Sequence, residues 1–145
     1  MSHDPRPSTP LDPGVLLSTL WVFALFNYLY ADFVTLIVGP ATTSMAARMS
    51  PLAVLGLAIL METAIAMVLL SRVLPYKANR WTNIVVGTVH TGFVASTMSS
   101  GVPPPYYLFF AVVEIACTGF IVWYAWRWRQ DTVRSAGTQR VPADS

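Results

Sequence analysis

The sequence predicts an all-α, polytopic membrane protein, with four transmembrane helices in an antiparallel bundle. Three observations carry that reading. The chain of 145 residues is 54% hydrophobic and only 11% charged, with a mean hydropathy of +0.54, whereas charged residues make up about a quarter of an ordinary soluble domain. Its apolar residues gather into four long stretches separated by proline and glycine breaks. Its lysines and arginines fall almost entirely on one side of those stretches.

Residues 1–14, MSHDPRPSTPLDPG, hold four prolines and two aspartates with a single arginine. They are expected to be a disordered cytoplasmic tail, unsuited to a helix and lacking the basic leader of a secretory signal. The transmembrane domain is expected over 15–128. Its first span, 15–38, would measure about 36 Å at the helical rise, enough to cross a hydrocarbon core of about 30 Å with some tilt. Gly39-Pro40 stops it, and Thr42 to Met49 has the length of one short interfacial turn.

The second span, 52–74, is entered through Ser50-Pro51, an N-cap followed by a first-turn proline, and is closed by Pro75. The third, 81–98, carries Thr82, Asn83, Thr88, His90, Thr91, Ser96 and Thr97 among its valines. Such a helix needs protein neighbours on most sides, because hydroxyls and an imidazole facing lipid would go unsatisfied. Ser99-Ser100-Gly101 and the prolines 103 to 105 make a stiff loop into the fourth span, 106–126, and residues 129–145 follow as a second disordered cytoplasmic tail.

Orientation follows from the basic residues. With the N-terminus inside, the inner segments hold Arg6, Arg72, Lys77, Arg80, Arg127, Arg129, Arg134 and Arg140, and the outer ones only Arg48. This bias places both termini in the cytoplasm. Trp81, Trp123, Trp126 and Trp128 fall at the same inner interface, where an indole keeps its ring apolar and its N–H wet.

Net charge is +2, and no basic patch is dense enough to neutralise several phosphates, which argues against nucleic acid as a partner. The single cysteine, Cys117, has no internal disulfide partner and suits a buried apolar position. No nucleotide-binding loop, nucleophile elbow or zinc signature occurs. A metal site is not expected: one intramembrane histidine with two separated acids lacks the Glu-x-x-His pairs of carboxylate-bridged bundles, and His90 alone cannot supply two haem ligands.

Four titratable residues lie within the spans: Asp32, Glu62, His90 and Glu114. Each needs a partner, a proton or water. Counted from their span ends, Glu62, His90 and Glu114 lie about 12 to 15 Å deep and Asn27 about 18 Å, close to the midplane. One polar side chain from each helix is thus expected in a common layer, Asn27, Glu62, His90 and Glu114, facing inward as a ligand-binding or proton-carrying set. Spacing supports this for the last two helices. Asn83, Gly87, His90, Val94 and Thr97 form one stripe, and Phe110, Glu114, Cys117, Thr118 and Ile121 another. Asp32 sits further out, and Arg48 is the one base on that side, so the two are expected to form a structural ion pair.

Two carboxyls beside an imidazole in low dielectric would titrate as a unit and hold a shared proton near neutral pH. Such a set can bind a cation, carry a proton, or serve as general acid and base toward a lipophilic substrate. It can equally be interhelical glue, since such hydrogen bonds are common within membranes and worth about 0.6 kcal/mol each on average.

The stretch LSTLWVFALFNYLYADF at 17 to 33 resembles a group of small bacterial membrane proteins of about this length known only as a domain of unknown function. LGLAILMETAIAMVLLSRVLP at 55 to 75, NRWTN at 79 to 83 and PPPYYLFFAVVEIACT at 104 to 118 fit the same resemblance, which covers residues 15 to 128. The four-helix plan also resembles the broader DoxX-like class, some members of which are linked to quinone or thiol redox work, but no motif of that class is present to transfer. The resemblance implies a multi-pass protein of the bacterial inner membrane and brings no catalytic residue and no cofactor.

The leading functional expectation is a protonatable midplane pocket for a small lipophilic or cationic molecule. The alternatives are a proton-coupled small-molecule transporter, a membrane redox or isomerase enzyme, and a structural subunit. Small multidrug exporters share four short helices and an intramembrane glutamate, but carry it in the first span, where this chain has Asn27. The lipid bilayer is the one partner the composition demands; four helices of this length enclose a small pocket rather than an aqueous pore, and a homodimer is compatible with that.

Overall fold

A computed structural model describes residues 12–38, 50–99 and 103–128, and these form four α-helices. Helix α1 is Pro13–Val38, α2 Pro51–Val73, α3 Tyr76–Met98 and α4 Pro105–Arg127. The fold is an all-α four-helix bundle. Helices α1, α2 and α4 are each long and apolar enough to cross a membrane. Helix α3 is as long as α2 and α4, 23 residues, but it carries much of the polar interior, which lowers its hydropathy.

Local chemistry sets the helix ends. Asp12 caps α1, its carboxylate accepting from the Gly14 N–H at 2.8 Å. Ser50 caps α2 by accepting from the Ala53 N–H at 3.2 Å, with Pro51 in the first turn where no amide hydrogen is needed. Pro75 ends α2 and starts α3, so that Leu74 and Pro75 alone join two antiparallel helices. Helix α3 therefore begins five residues before the expected Trp81. Its first turns are polar because Tyr76 and Arg80 reach across to α4, donating to the carbonyls of Trp128 at 2.5 Å and Trp126 at 3.0 Å. Those carbonyls end a helix and need donors.

The helices form a ring in chain order, α1 beside α2 and α4, α3 beside α2 and α4. Every neighbouring pair is antiparallel, as four contacts show. The Ser18 hydroxyl donates to Val68 O at 2.8 Å, Thr63 meets His90, Tyr107 donates to the Thr97 hydroxyl at 3.1 Å, and Asn27 donates to Phe110 O at 3.1 Å. The α3–α4 interface is the most extensive and α2–α3 the sparsest. Two glycines set the closest approaches. A Cβ on Gly14 would stand 2.7 Å from Ser71 O on α2, and one on Gly87 would stand 2.7 Å from Val122 Cγ2 on α4.

Polarity is inverted relative to a soluble bundle. Phe23, Phe26, Leu29, Leu36, Leu52, Leu69, Phe109 and Trp126 are all exposed, while Ser18, Asn27, Ser71, Asn79, Asn83, His90, Glu114 and Thr118 are buried. That is the distribution a bilayer would favour, with an apolar solvent outside and hydrogen-bond partners for polar groups only in the protein interior. The expected tail 1–14 is corrected at its end, since Asp12 caps α1 and Pro13 and Gly14 form its first turn; residues 1–11, the tail 129–145 and the Thr42 to Met49 turn lie outside the described residues.

Candidate functional site: a polar layer across the bundle

His90 is the hub of the interior. It sits two turns before the end of α3, 1% exposed. Its ring stacks on Tyr28 of α1 with centroids 5.7 Å apart and meets the edge of Trp21 at 5.5 Å. Both ring nitrogens are engaged: Nδ1 lies 3.2 Å from the Tyr28 hydroxyl and Nε2 3.1 Å from Thr63 Oγ1 on α2. The Thr63 hydroxyl hydrogen goes to Leu60 O at 2.6 Å. Its oxygen must then accept from His90, which places a hydrogen on Nε2 and lets Nδ1 accept from Tyr28. The chain Tyr28 to His90 to Thr63 to Leu60 O thus ties α1, α3 and α2 together in one direction.

Glu114 lies on the buried face of α4, 6% exposed, at about the depth of His90. Its backbone carbonyl accepts from the Thr118 hydroxyl at 2.8 Å, and that hydroxyl lies 2.7 Å from the Thr91 hydroxyl of α3. Asn27 of α1 is buried and donates one amide hydrogen to Phe110 O, one helical turn before Glu114 on the same face. The Asn27 amide also donates to the Glu114 carboxyl, which makes no ion pair among the described residues. Cys117, one turn further in, is buried with its thiol 3.5 Å from Leu20 O.

Of the four side chains expected in the midplane layer, Asn27, His90 and Glu114 are interior. Glu62 is at the same depth but exposed on the outside of α2. Distance from a span end fixes height and leaves azimuth open. The buried line of α2 is Ala64, Met67 and Ser71, and Glu62, two residues before Ala64, stands about 200° round the helix from it. Thr63, its neighbour, points inward in its place. A carboxylate left facing lipid at that depth costs about 2.5 to 3.5 kcal/mol on insertion scales. Asp32 is also exposed, near the far end of α1, and Arg48 lies outside the described residues.

A second polar group, nearer the basic end of the bundle, was not expected as a unit. Asn83 accepts from the Trp21 indole N–H at 2.8 Å and donates to Asn79 O at 2.9 Å and to Asn79 Oδ1 at 2.6 Å. Asn79 donates to Ser71 O at 2.6 Å. All four residues are buried. The signal in the sequence is three polar side chains, Ser71, Asn79 and Asn83, straddling the Pro75 break, where a tight helical hairpin would bring them face to face.

Among the described residues, no three His, Cys, Asp or Glu side chains come together as a metal site. A groove of about 250 Å³ opens sideways between α2 and α3, where those helices touch least, lined by Gly56, Ile59, Leu60, Thr63, Val85, Val86 and Val89. Thr63 thereby borders both the outward-opening groove and the imidazole.

No curated protein and no solved structure matches the chain. One family model does, over residues 12–135, which takes in all four helices, and its description is a family of unknown function. The chain belongs to that family, DUF6326.

Proposed function

We propose that this is an integral membrane protein whose midplane layer, Asn27, His90 and Glu114, takes up a proton or the cationic group of a small lipophilic molecule. The observation that carries the reading is Glu114. A carboxyl in the interior of a bundle, with only the neutral Asn27 amide beside it and no base among the described residues, needs a proton or a cation to offset its desolvation. Asn27 and Tyr28 border the same space from α1, and the groove beside Thr63 offers a route from the lipid for an apolar molecule.

All four described lysines and arginines, Arg72, Lys77, Arg80 and Arg127, stand at one end of the bundle, with the exposed Trp81, Trp123 and Trp126. That end is read as cytoplasmic, with α3 as a fourth span and both termini on the same side. The likeness to DoxX-like proteins rests on the number of helices and adds no residue to the reading.

A specific observation favours a second reading, in which the layer only fixes packing: both His90 nitrogens are already occupied by side chains of neighbouring helices. One experiment separates the two. Purified protein in nanodiscs is titrated with tetraphenylphosphonium, a lipophilic cation, and compared with Glu114→Gln. The proposal expects saturable binding to the native protein and at least a ten-fold loss in the variant, with unchanged thermal stability. Equal binding by both proteins, or a variant that loses only stability, would favour the packing role.

A further inference from the structure

We infer that α2 is the contact face of a homodimer in which Glu62 meets the Glu62 of a second copy at the bilayer midplane. Glu62 lies eleven residues from either end of α2, Pro51–Val73, and so at its centre. It is exposed, on the side of α2 opposite the buried line. This residue is no isolated polar group on an arbitrary surface. Leu55, Ala58, Glu62, Ile65 and Leu69 recur at intervals of three, four, three and four, and all five are exposed. That spacing is the seam of a left-handed helix pair, here with no partner inside the bundle. Ala58 and Ala66, one turn to either side of Glu62, leave room for another backbone to come close.

Depth selects the occupant. The covering surface must present a hydrogen-bonding group halfway through the hydrocarbon, where such groups are rare. A twofold axis along the membrane normal lays a second α2 parallel to the first and brings its Glu62 to the same height by symmetry. Two carboxyls with at least one proton between them then donate to and accept from each other, removing both from lipid. A polar residue at one seam position of a helix pair also fixes register and oligomer state.

The test is dimerisation in lipid, read by single-molecule photobleaching in vesicles, together with copper-phenanthroline cross-linking of single cysteines introduced at Ala58, Ile65 and, as controls on other faces, Phe26 and Phe109. The expected result is a dimer from the purified chain alone, cross-linked through Ala58→Cys and Ile65→Cys but not through Phe26→Cys or Phe109→Cys. Glu62→Leu should weaken dimerisation about ten-fold or more, and Glu62→Gln, which still donates and accepts, by no more than about three-fold. A monomeric native protein, cross-links confined to the control positions, or an undiminished dimer in Glu62→Leu would overturn it. If Glu62→Leu fails to fold, the cross-linking pattern in the otherwise native chain decides.

Discussion

Tyr28 and His90 meet across the diagonal of the bundle, from helices that are not neighbours in the ring, with the tyrosine hydroxyl 3.2 Å from Nδ1 and the two rings stacked. Long side chains bridge a gap that the backbones do not close. The same diagonal is crossed a second time by Trp21, whose indole N–H reaches Asn83. These two struts hold α1 against α3 while leaving α2 and α4 free to pack on either side.

The direction of the His90 hydrogen bonds makes a prediction about its tautomer. Imidazole 15N NMR of the reconstituted protein should show hydrogen on Nε2 and a bare Nδ1. Thr63→Val removes the acceptor for Nε2–H and should destabilise the protein by about 1 kcal/mol, while Thr63→Ser should retain most of the stability. A spectrum with hydrogen on Nδ1 instead would make Tyr28 the acceptor and Thr63 the donor to Nε2, leaving Leu60 O without the Thr63 hydroxyl.

Helix approach can be probed at the glycines. Gly14→Ala puts a methyl against the Ser71 carbonyl, a backbone atom that cannot turn aside, and should cost about 1 to 3 kcal/mol. Gly87→Ala meets the stiff Val122 side chain and should be partly rescued by Val122→Ala. Gly92→Ala has open space around it and should be neutral or slightly stabilising, because alanine loses less freedom than glycine in a helix. Unfolding titrations of the four variants check the order.

In the second polar group, Asn83→Leu strands both the Trp21 indole and the Asn79 side chain. The expected cost is about 2 kcal/mol, more than for Trp21→Phe alone, and a double-mutant cycle between the two should give a coupling of about 1 kcal/mol. A coupling near zero would show that the Trp21 bond contributes nothing to holding α1 on α3.

The sequence made the helices legible and the contacts between them only in part. Helices α2 and α4 begin within one residue of expectation because Ser50-Pro51 and Pro105 are chemical start signals that act locally. The start of α3 was set five residues late, since the signal there was hydrophobicity, and its first turns are polar for reasons found only in the fold: Tyr76 and Arg80 serve the end of α4, and Asn79 bonds to Ser71 O of α2. Height along the bundle was legible for Asn27, His90, Glu114 and Glu62 alike, because a helix rises by a fixed amount per residue. The facing direction of Glu62 was not, because α2 is apolar on nearly every side and its pattern does not say which side the neighbours take. Tyr28 and Thr63 stayed hidden for a related reason. Each looks like packing until the diagonal partner is known.

The central claim is that Glu114 is the group in the interior that receives a proton or a cation. Difference infrared spectroscopy on protein labelled with 13C-glutamate, in lipid, with and without tetraphenylphosphonium, tests it most directly. The account predicts a glutamate carboxyl band that changes when the cation is added, that disappears in Glu114→Gln and that survives in Glu62→Gln. A response to the cation that persists unchanged in Glu114→Gln would contradict it.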